Sequence, residues 1–117
     1  MWFRVDPTSA VGLADQIAAR VRAALLESRL TPGDRLPPAR EVARGLDINM
    51  HTVLRGYAIL RDEGLIELRR GRGARVRTDV DVDLTDLRQQ IRALVGAAQR
   101  LGISREGLIT EMRKVAQ

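Results

Sequence analysis

Residue types that perform covalent or metal chemistry are scarce in this chain. It has one histidine, His51, one lysine, Lys114, and no cysteine. A nucleophile–histidine relay, a thiolate or multi-histidine metal site and a Schiff base each need partners that the sequence does not supply. What it does supply is guanidinium groups. Arg69, Arg70, Arg72, Arg75 and Arg77 fall within nine residues with no acid among them. Upstream, Asn49-Met50-His51-Thr52 offers an amide, an imidazole and a hydroxyl in four consecutive positions. Arginine matches phosphate oxygens with a fork of donors. Asn49 and Thr52 can bond phosphate or base edges, His51 can donate to either, and Met50 and Leu54 can contact thymine methyls. This is the chemistry of holding a polyanion, with no cofactor, no metal and no catalysis expected.

The charge distribution agrees. The net charge is +5 over 117 residues. Residues 1–77 hold fourteen arginines against nine acids, whereas residues 78–117 hold six bases and six acids. The whole excess lies in the first part, as in a polyanion-binding module joined to something else. At 44% hydrophobic residues the chain can bury a core of modest size. It has no run of about 18 apolar residues and no basic-then-apolar leader, so neither a membrane span nor a signal peptide is expected. A soluble, cytoplasmic protein is the expectation.

The elements that must position these groups follow from periodicity. Thr8 or Ser9 is the expected cap of a first helix running to about Ser28. Leu13, Ile17, Val21 and Leu25 form its buried stripe, with Arg20, Arg22 and Arg29 off the stripe and solvated. Two aromatics, Trp2 and Phe3, are expected to anchor the N-terminus on the domain. Thr31-Pro32-Gly33-Asp34 reads as a type II turn, and Arg35-Leu36 as a short strand pairing with a later hairpin. A helix opens at Pro38 and ends in Gly45-Leu46-Asp47. Asn49 then caps another helix, with Val53, Gly56, Tyr57 and Leu60 on its buried face and Gly64 as its stop. Short helix, turn of about four residues and second helix is the helix-turn-helix layout. Leu65–Leu68 reads as a strand, Arg69–Gly73 as a hairpin tip and Ala74–Arg77 as the return strand. The fold class is therefore mainly α with a small β wing. It is a winged helix-turn-helix over residues 1–77, a linker over 78–83, and a two-helix dimerisation segment over 84–117.

Residues 13–76 resemble the DNA-binding domain of GntR-type bacterial transcription regulators. The resemblance rests on Gln16-Ile17, Pro32-Gly33-Asp34-Arg35-Leu36-Pro37, Arg40-Glu41-Val42-Ala43, Thr52-Val53, Leu60, Glu63-Gly64-Leu65-Ile66 and Arg70-Gly71-Arg72-Gly73. Asn49 with Thr52-Val53 and Tyr57, plus a short C-terminal part, looks like the YtrA subfamily. The resemblance implies a regulator, expected to be a repressor, that binds double-stranded operator DNA. It also implies a DNA contact for Arg40. The recognition helix near 49–63 would enter the major groove, where Asn49, Met50, His51, Thr52, Leu54 and Arg55 are the candidate contacts. The wing, through Arg70, Gly71, Arg72 and Gly73, would lie on the backbone or in a minor groove. This chain departs from the wider family in four places. Pro38 stands where a capping serine is usual and Asp47 where glycine is usual. Met50 and Leu54 stand where arginines are common. Leu54 is expected either at a thymine methyl or packed under the wing or another subunit.

Leu84, Leu87, Ile91, Leu94, Ala98 and Leu101 are spaced as nearly three heptads of an a/d seam, and Gly102 ends that helix. Ser104 caps a last helix carrying Leu108, Ile109, Met112 and Val115. Two such helices cannot bury their stripes by themselves, so a homodimer reading a palindromic operator is expected. A tail of about 38 residues leaves little room for an enclosed pocket of about 300 Å³, so a small-molecule effector is unsupported by the sequence. The alternative reading is a winged-helix module for protein or RNA contact.

Overall fold

The computed structural model describes residues 4–116; the expectation for Trp2 and Phe3 lies outside the described residues. The elements run α1 (Leu13–Leu26), α2 (Ala39–Leu46), α3 (Met50–Asp62), β1 (Ile66–Arg69), β2 (Gly73–Val76), α4 (Val82–Arg100) and α5 (Arg105–Val115). They form two compact units, Met1–Val82 and Asp83–Gln117.

In the first unit, α1 and α2 both pack on α3. The core comprises Ile17, Val21, Leu25, Val42, Val53, Tyr57, Leu60, Ile66, Val76 and their buried neighbours. The expected stripes on α1 and α3 therefore face each other. Gly56 is what lets the two helices approach. A β-carbon there would stand 2.9 Å from the Ala14 carbonyl oxygen and 2.9 Å from Ile17 Cγ2.

Two expectations for α1 need correction. The helix starts at Leu13 behind Gly12 and has no side-chain cap, so neither Thr8 nor Ser9 caps it. Both hydroxyls are engaged in the preceding turn. Thr8 donates from its backbone N–H and its Oγ1 to Asp6 Oδ1, at 2.9 and 2.6 Å, and Ser9 Oγ accepts from the Val11 N–H. The Thr8 bonds hold the Asp6 carboxyl below its ordinary range. Gln16 ties this turn to the helix, donating to the Asp6 and Val11 carbonyls and accepting from the Asp6 N–H.

The second correction is Arg22, which is 8% exposed rather than solvated. Its Nε donates to Glu63 Oε2 at 2.9 Å and its Nη2 to Oε1, a bidentate pair between α1 and the C-cap of α3. Arg22 lies one turn beyond buried Ala18 and three residues before Leu25. That places it at the margin of the stripe, where a carboxylate can reach it.

The Thr31–Asp34 turn forms as expected. Gly33 has φ +90°, and the Asp34 N–H donates to the Thr31 carbonyl at 3.0 Å. Arg35 makes a single antiparallel bridge to Arg75, and the Leu36 N–H donates to the Ala74 carbonyl. The hairpin is tighter than the sequence reading. Ile66 pairs with Val76 and Arg69 with Gly73, so the loop is only Arg70–Arg72. Leu65 is not in the strand because its N–H donates to the Leu60 carbonyl at the end of α3. Gly71 and Gly73 take φ +75° and +76°, which the short loop requires.

In the second unit, α4 begins two residues before the expected Leu84, with Asp83 in its first turn, where a negative charge suits the helix dipole. Gly102, at φ +71°, follows its end. Ser104 caps α5 by accepting from the Gly107 N–H at 3.0 Å.

Candidate nucleic-acid interface

The helix-turn-helix is set by three local contacts. Pro38 occupies the N-cap position of α2 rather than its first helical position, and with it there is no side-chain cap. Asp47 closes α2 in the left-handed region, φ 54°, a conformation that Asp tolerates better than most residues. Asn49 caps α3, its Oδ1 accepting from the His51 N–H at 2.8 Å. From the buried side of α3, the Tyr57 hydroxyl donates to the Pro37 carbonyl at 2.6 Å. That bond ties α3 to the segment that launches α2, and so fixes where Arg40 starts. Burial pushes the Tyr57 hydroxyl well above its ordinary pKa.

The candidate contact residues fall into three states. Arg40, Asn49, His51, Leu54 and Arg55 are exposed. Thr52 is half-buried, and its Oγ1 accepts from Arg55 Nη2 at 3.4 Å. Met50 is half-buried against the core, so less of it is open than the sequence implied. Leu54 is 39% exposed rather than covered by the wing. Among the described residues, Arg40 forms no ion pair with Glu41 or any other acid. Arg61, on the same helix, is turned aside by Asp62, with Nη2 to Oδ1 at 3.1 Å. From Ile48 to Arg61 the sequence has no acid, so the exposed face of α3 is neutral to basic until that pair.

The wing sorts its arginines. Arg77 bonds Asp79 through two 2.8 Å contacts. The hydrogen bond from Arg77 holds the Asp79 carboxyl below its ordinary range, and the Arg77 guanidinium is raised in return. Arg69 Nε lies 3.3 Å from Glu67 Oε1. Arg70, Arg72 and Arg75 form no ion pair among the described residues, and Arg70, Gly71, Arg72 and Gly73 are all exposed. A cleft of about 310 Å³ opens on the wing, lined by Arg35, Glu67, Arg69, Gly71, Arg72, Gly73 and Arg75. Sequence reasoning treated Arg35 as structural. The missed signal was strand alternation: buried Leu36 turns inward, so Arg35 beside it must turn outward.

Among the described residues no group of acids and histidines could hold a metal ion. Nor is any helix there long and apolar enough to cross a membrane. The arrangement presents donors to a surface; it does not enclose a substrate.

Residues 13–76 match the model of the gntR family of bacterial regulatory proteins. The HTH-type transcriptional repressor YtrA of Bacillus subtilis is 30% identical, over 97% of this chain and 91% of its own. Among solved structures, YtrA from Sulfolobus acidocaldarius, a GntR-family transcription factor, superposes with TM-score 0.66 at 31% identity, covering 86% of this chain and 99% of that one. The DNA-binding domain of AraR, solved in complex with operator ORX1, shares the fold at TM-score 0.56 and 18% identity, covering 63% of this chain and 92% of its own. These matches are to transcription regulators and not to enzymes. With a family model spanning more than half its length and a relative aligned along nearly all of it, this chain belongs to the gntR family of bacterial transcription regulators, with a winged-helix DNA-binding domain and a YtrA-like layout.

Proposed function

We propose that the protein is a repressor that binds a palindromic operator as a homodimer. The helix α3 lies in the major groove, and the wing lies on the backbone or in the adjoining minor groove. Asn49, Met50, His51, Thr52, Leu54 and Arg55 face the bases and nearby phosphates. Arg40, Arg70, Gly71, Arg72 and Gly73 hold the backbone. Residues 1–77 bind DNA, 78–83 link, and 84–117 dimerise through Leu84, Leu87, Ile91, Leu94, Leu101, Leu108 and Met112.

The observation that carries this reading is the pairing of two acid-free surfaces in one compact unit. One is the exposed face of α3 from Asn49 to Arg55; the other is the wing from its tip through its return strand, residues 69–77, with Arg70, Arg72 and Arg75 uncompensated among the described residues. The repressor assignment is supported by the similar YtrA of Bacillus subtilis. The DNA partner is supported by the AraR domain, whose shared fold was solved on an operator. The dimer is supported by Leu84, Leu87, Ile91 and Leu94 of α4, Leu101 just after it and Met112 of α5, which stay exposed.

A gel-shift on the DNA upstream of its own gene, against a random duplex at physiological salt, tests the reading. A preference on the order of 1,000-fold is expected, with a footprint showing two half-sites. Equal, weak binding to both duplexes would overturn the sequence-specific role.

A further inference from the structure

We infer that the outer face of the wing sheet, not only its tip, is a phosphate-binding cradle that takes a stretch of operator backbone. Arg35 and Arg75 are its floor, with Arg72 at its rim. The inference rests on the DNA-binding reading above and extends it to residues that reading does not use.

Three observations carry it. First, Arg35, Arg75 and Glu67 lie side by side on three neighbouring strand segments. Arg35 bridges Arg75, and Arg75 is in register with Glu67. Their sequence neighbours Leu36, Ala74, Val76 and Ile66 are buried, so this row faces outward. Second, like charges at directly opposed cross-strand positions repel. Arg35 and Arg75 keep that arrangement, and neither forms an ion pair among the described residues. Glu67 is drawn to Arg69 at 3.3 Å instead. An anion seated between the two guanidinium groups would remove the repulsion and accept donors from both. Third, the space is there. The cleft of about 310 Å³ is lined by four arginines and one acid, and Gly71 and Arg72 of the loop, with Gly73 at the start of β2, form part of its wall. It is thus continuous with the wing tip, and a backbone held at the tip by Arg70 and Arg72 reaches the cleft without a gap. That continuity favours the phosphates of a duplex over a free phosphate as the occupant.

The test is a salt series of duplex-binding curves for the wild-type chain, an Arg35→Gln/Arg75→Gln double variant, Arg40→Ala and Glu67→Gln, on operator and random duplex. Each lost phosphate contact removes about 0.9 from the slope of log affinity against log salt. The double variant is expected to lower that slope by about 2 and to weaken both duplexes alike. Glu67→Gln removes the acid and is expected to tighten binding about fivefold, the effect of one unit charge about 4 Å away in water. A misfolded variant cannot bind more tightly, so this arm stands if the double variant fails to fold. An unchanged slope in the double variant, or Glu67→Gln binding no tighter, while Arg40→Ala weakens binding, overturns the cradle and leaves the regulator reading intact. Failure of the wild-type chain to bind any duplex overturns that reading instead. Replacing chloride with inorganic phosphate at matched ionic strength separates the two sources. No extra loss of DNA binding is expected. Loss in the wild-type that the double variant escapes, with its slope unchanged, would make the cleft a free-anion site.

Discussion

The two units use one sequence pattern to opposite ends. In α1 and α3, apolar residues three and four apart are covered: Ile17, Val21, Val53 and Leu60 are fully buried. In α4 the same spacing leaves Leu84, Leu87, Ile91 and Leu94 exposed, with Leu87 at 51% and Leu101 beyond it at 76%. Only Thr85 and Ala98 are buried in α4, and nothing in α5. Amphipathic periodicity says that a face has to be covered; it does not say by what. Burying one large aliphatic side chain is worth about 1.5–3 kcal/mol. Four such residues in a row on α4 are therefore a strong drive toward a partner, whereas the first unit has already satisfied its own.

The comparison breaks most directly at the α4 stripe. Replacing Ile91 and Leu94 with Asp places charges on the proposed seam. Sedimentation should then show monomers at concentrations where the wild-type chain is expected to form the proposed dimer, and operator preference should collapse towards the random-duplex level. A dimer that survives both charges would mean the stripe is covered in some other way.

The next largest effect should come from the first unit. Leu60→Ala removes a fully buried side chain from the last turn of α3 and should cost about 2–5 kcal/mol in urea denaturation. The loss should not depend on protein concentration, because the core belongs to one chain. Ile91→Ala should behave in the opposite way, with a loss that fades as the sample is diluted to monomers. A concentration-dependent penalty for Leu60→Ala would erase the distinction between the units.

These two regions also differ in how far the sequence discloses them. The winged helix was legible because its signals are local. Pro38 before α2, Gly64 after α3 and Gly33 in the turn each follow from one residue's backbone preference, and Asn49 at the cap of α3 from a side chain that reaches only two residues along. What was not legible depends on groups far apart in the chain. Arg22 looks solvated until Glu63, forty-one residues away, comes within 2.9 Å. Thr8 and Ser9 look like caps until Asp6 and Val11 take their hydroxyls. Arg69 and Arg77 look like free cations until Glu67 and Asp79 claim them, while Arg35 gains interest only beside Arg75. Residue type showed that the site would be basic. Pairing decides which of its arginines are left to bind.

A finer test of the first unit is Gly56→Ala. By helix propensity alone the substitution should stabilise α3 by about 1 kcal/mol. The new β-carbon, however, would meet the Ala14 carbonyl oxygen and Ile17 Cγ2, both at 2.9 Å. Backbone cannot move aside cheaply, so a net loss of about 1–3 kcal/mol is expected. Stabilisation in a thermal melt would mean that α1 and α3 are less tightly apposed than this contact requires.

The smallest effect concerns Tyr57, the one tyrosine in the chain and therefore a clean spectroscopic probe. Its hydroxyl donates to the Pro37 carbonyl, and burial raises its pKa well above the ordinary value of 10.0. The sign follows from the reference state. Above about pH 10 the unfolded chain releases the phenol proton while the folded chain keeps it. The contribution is therefore full below the unfolded value and is lost as pH rises towards the folded one. Phenolate absorbance should appear only together with unfolding, at the same pH whatever the protein concentration. Tyr57→Phe should cost about 1 kcal/mol at neutral pH for the lost hydrogen bond, and the alkaline fall in stability should become shallower. A phenolate signal at the ordinary value in a chain that is still folded would show that α3 does not seal this hydroxyl against the Pro37 segment. The geometry that launches Arg40 from the start of α2 would then be looser than the helix-turn-helix needs.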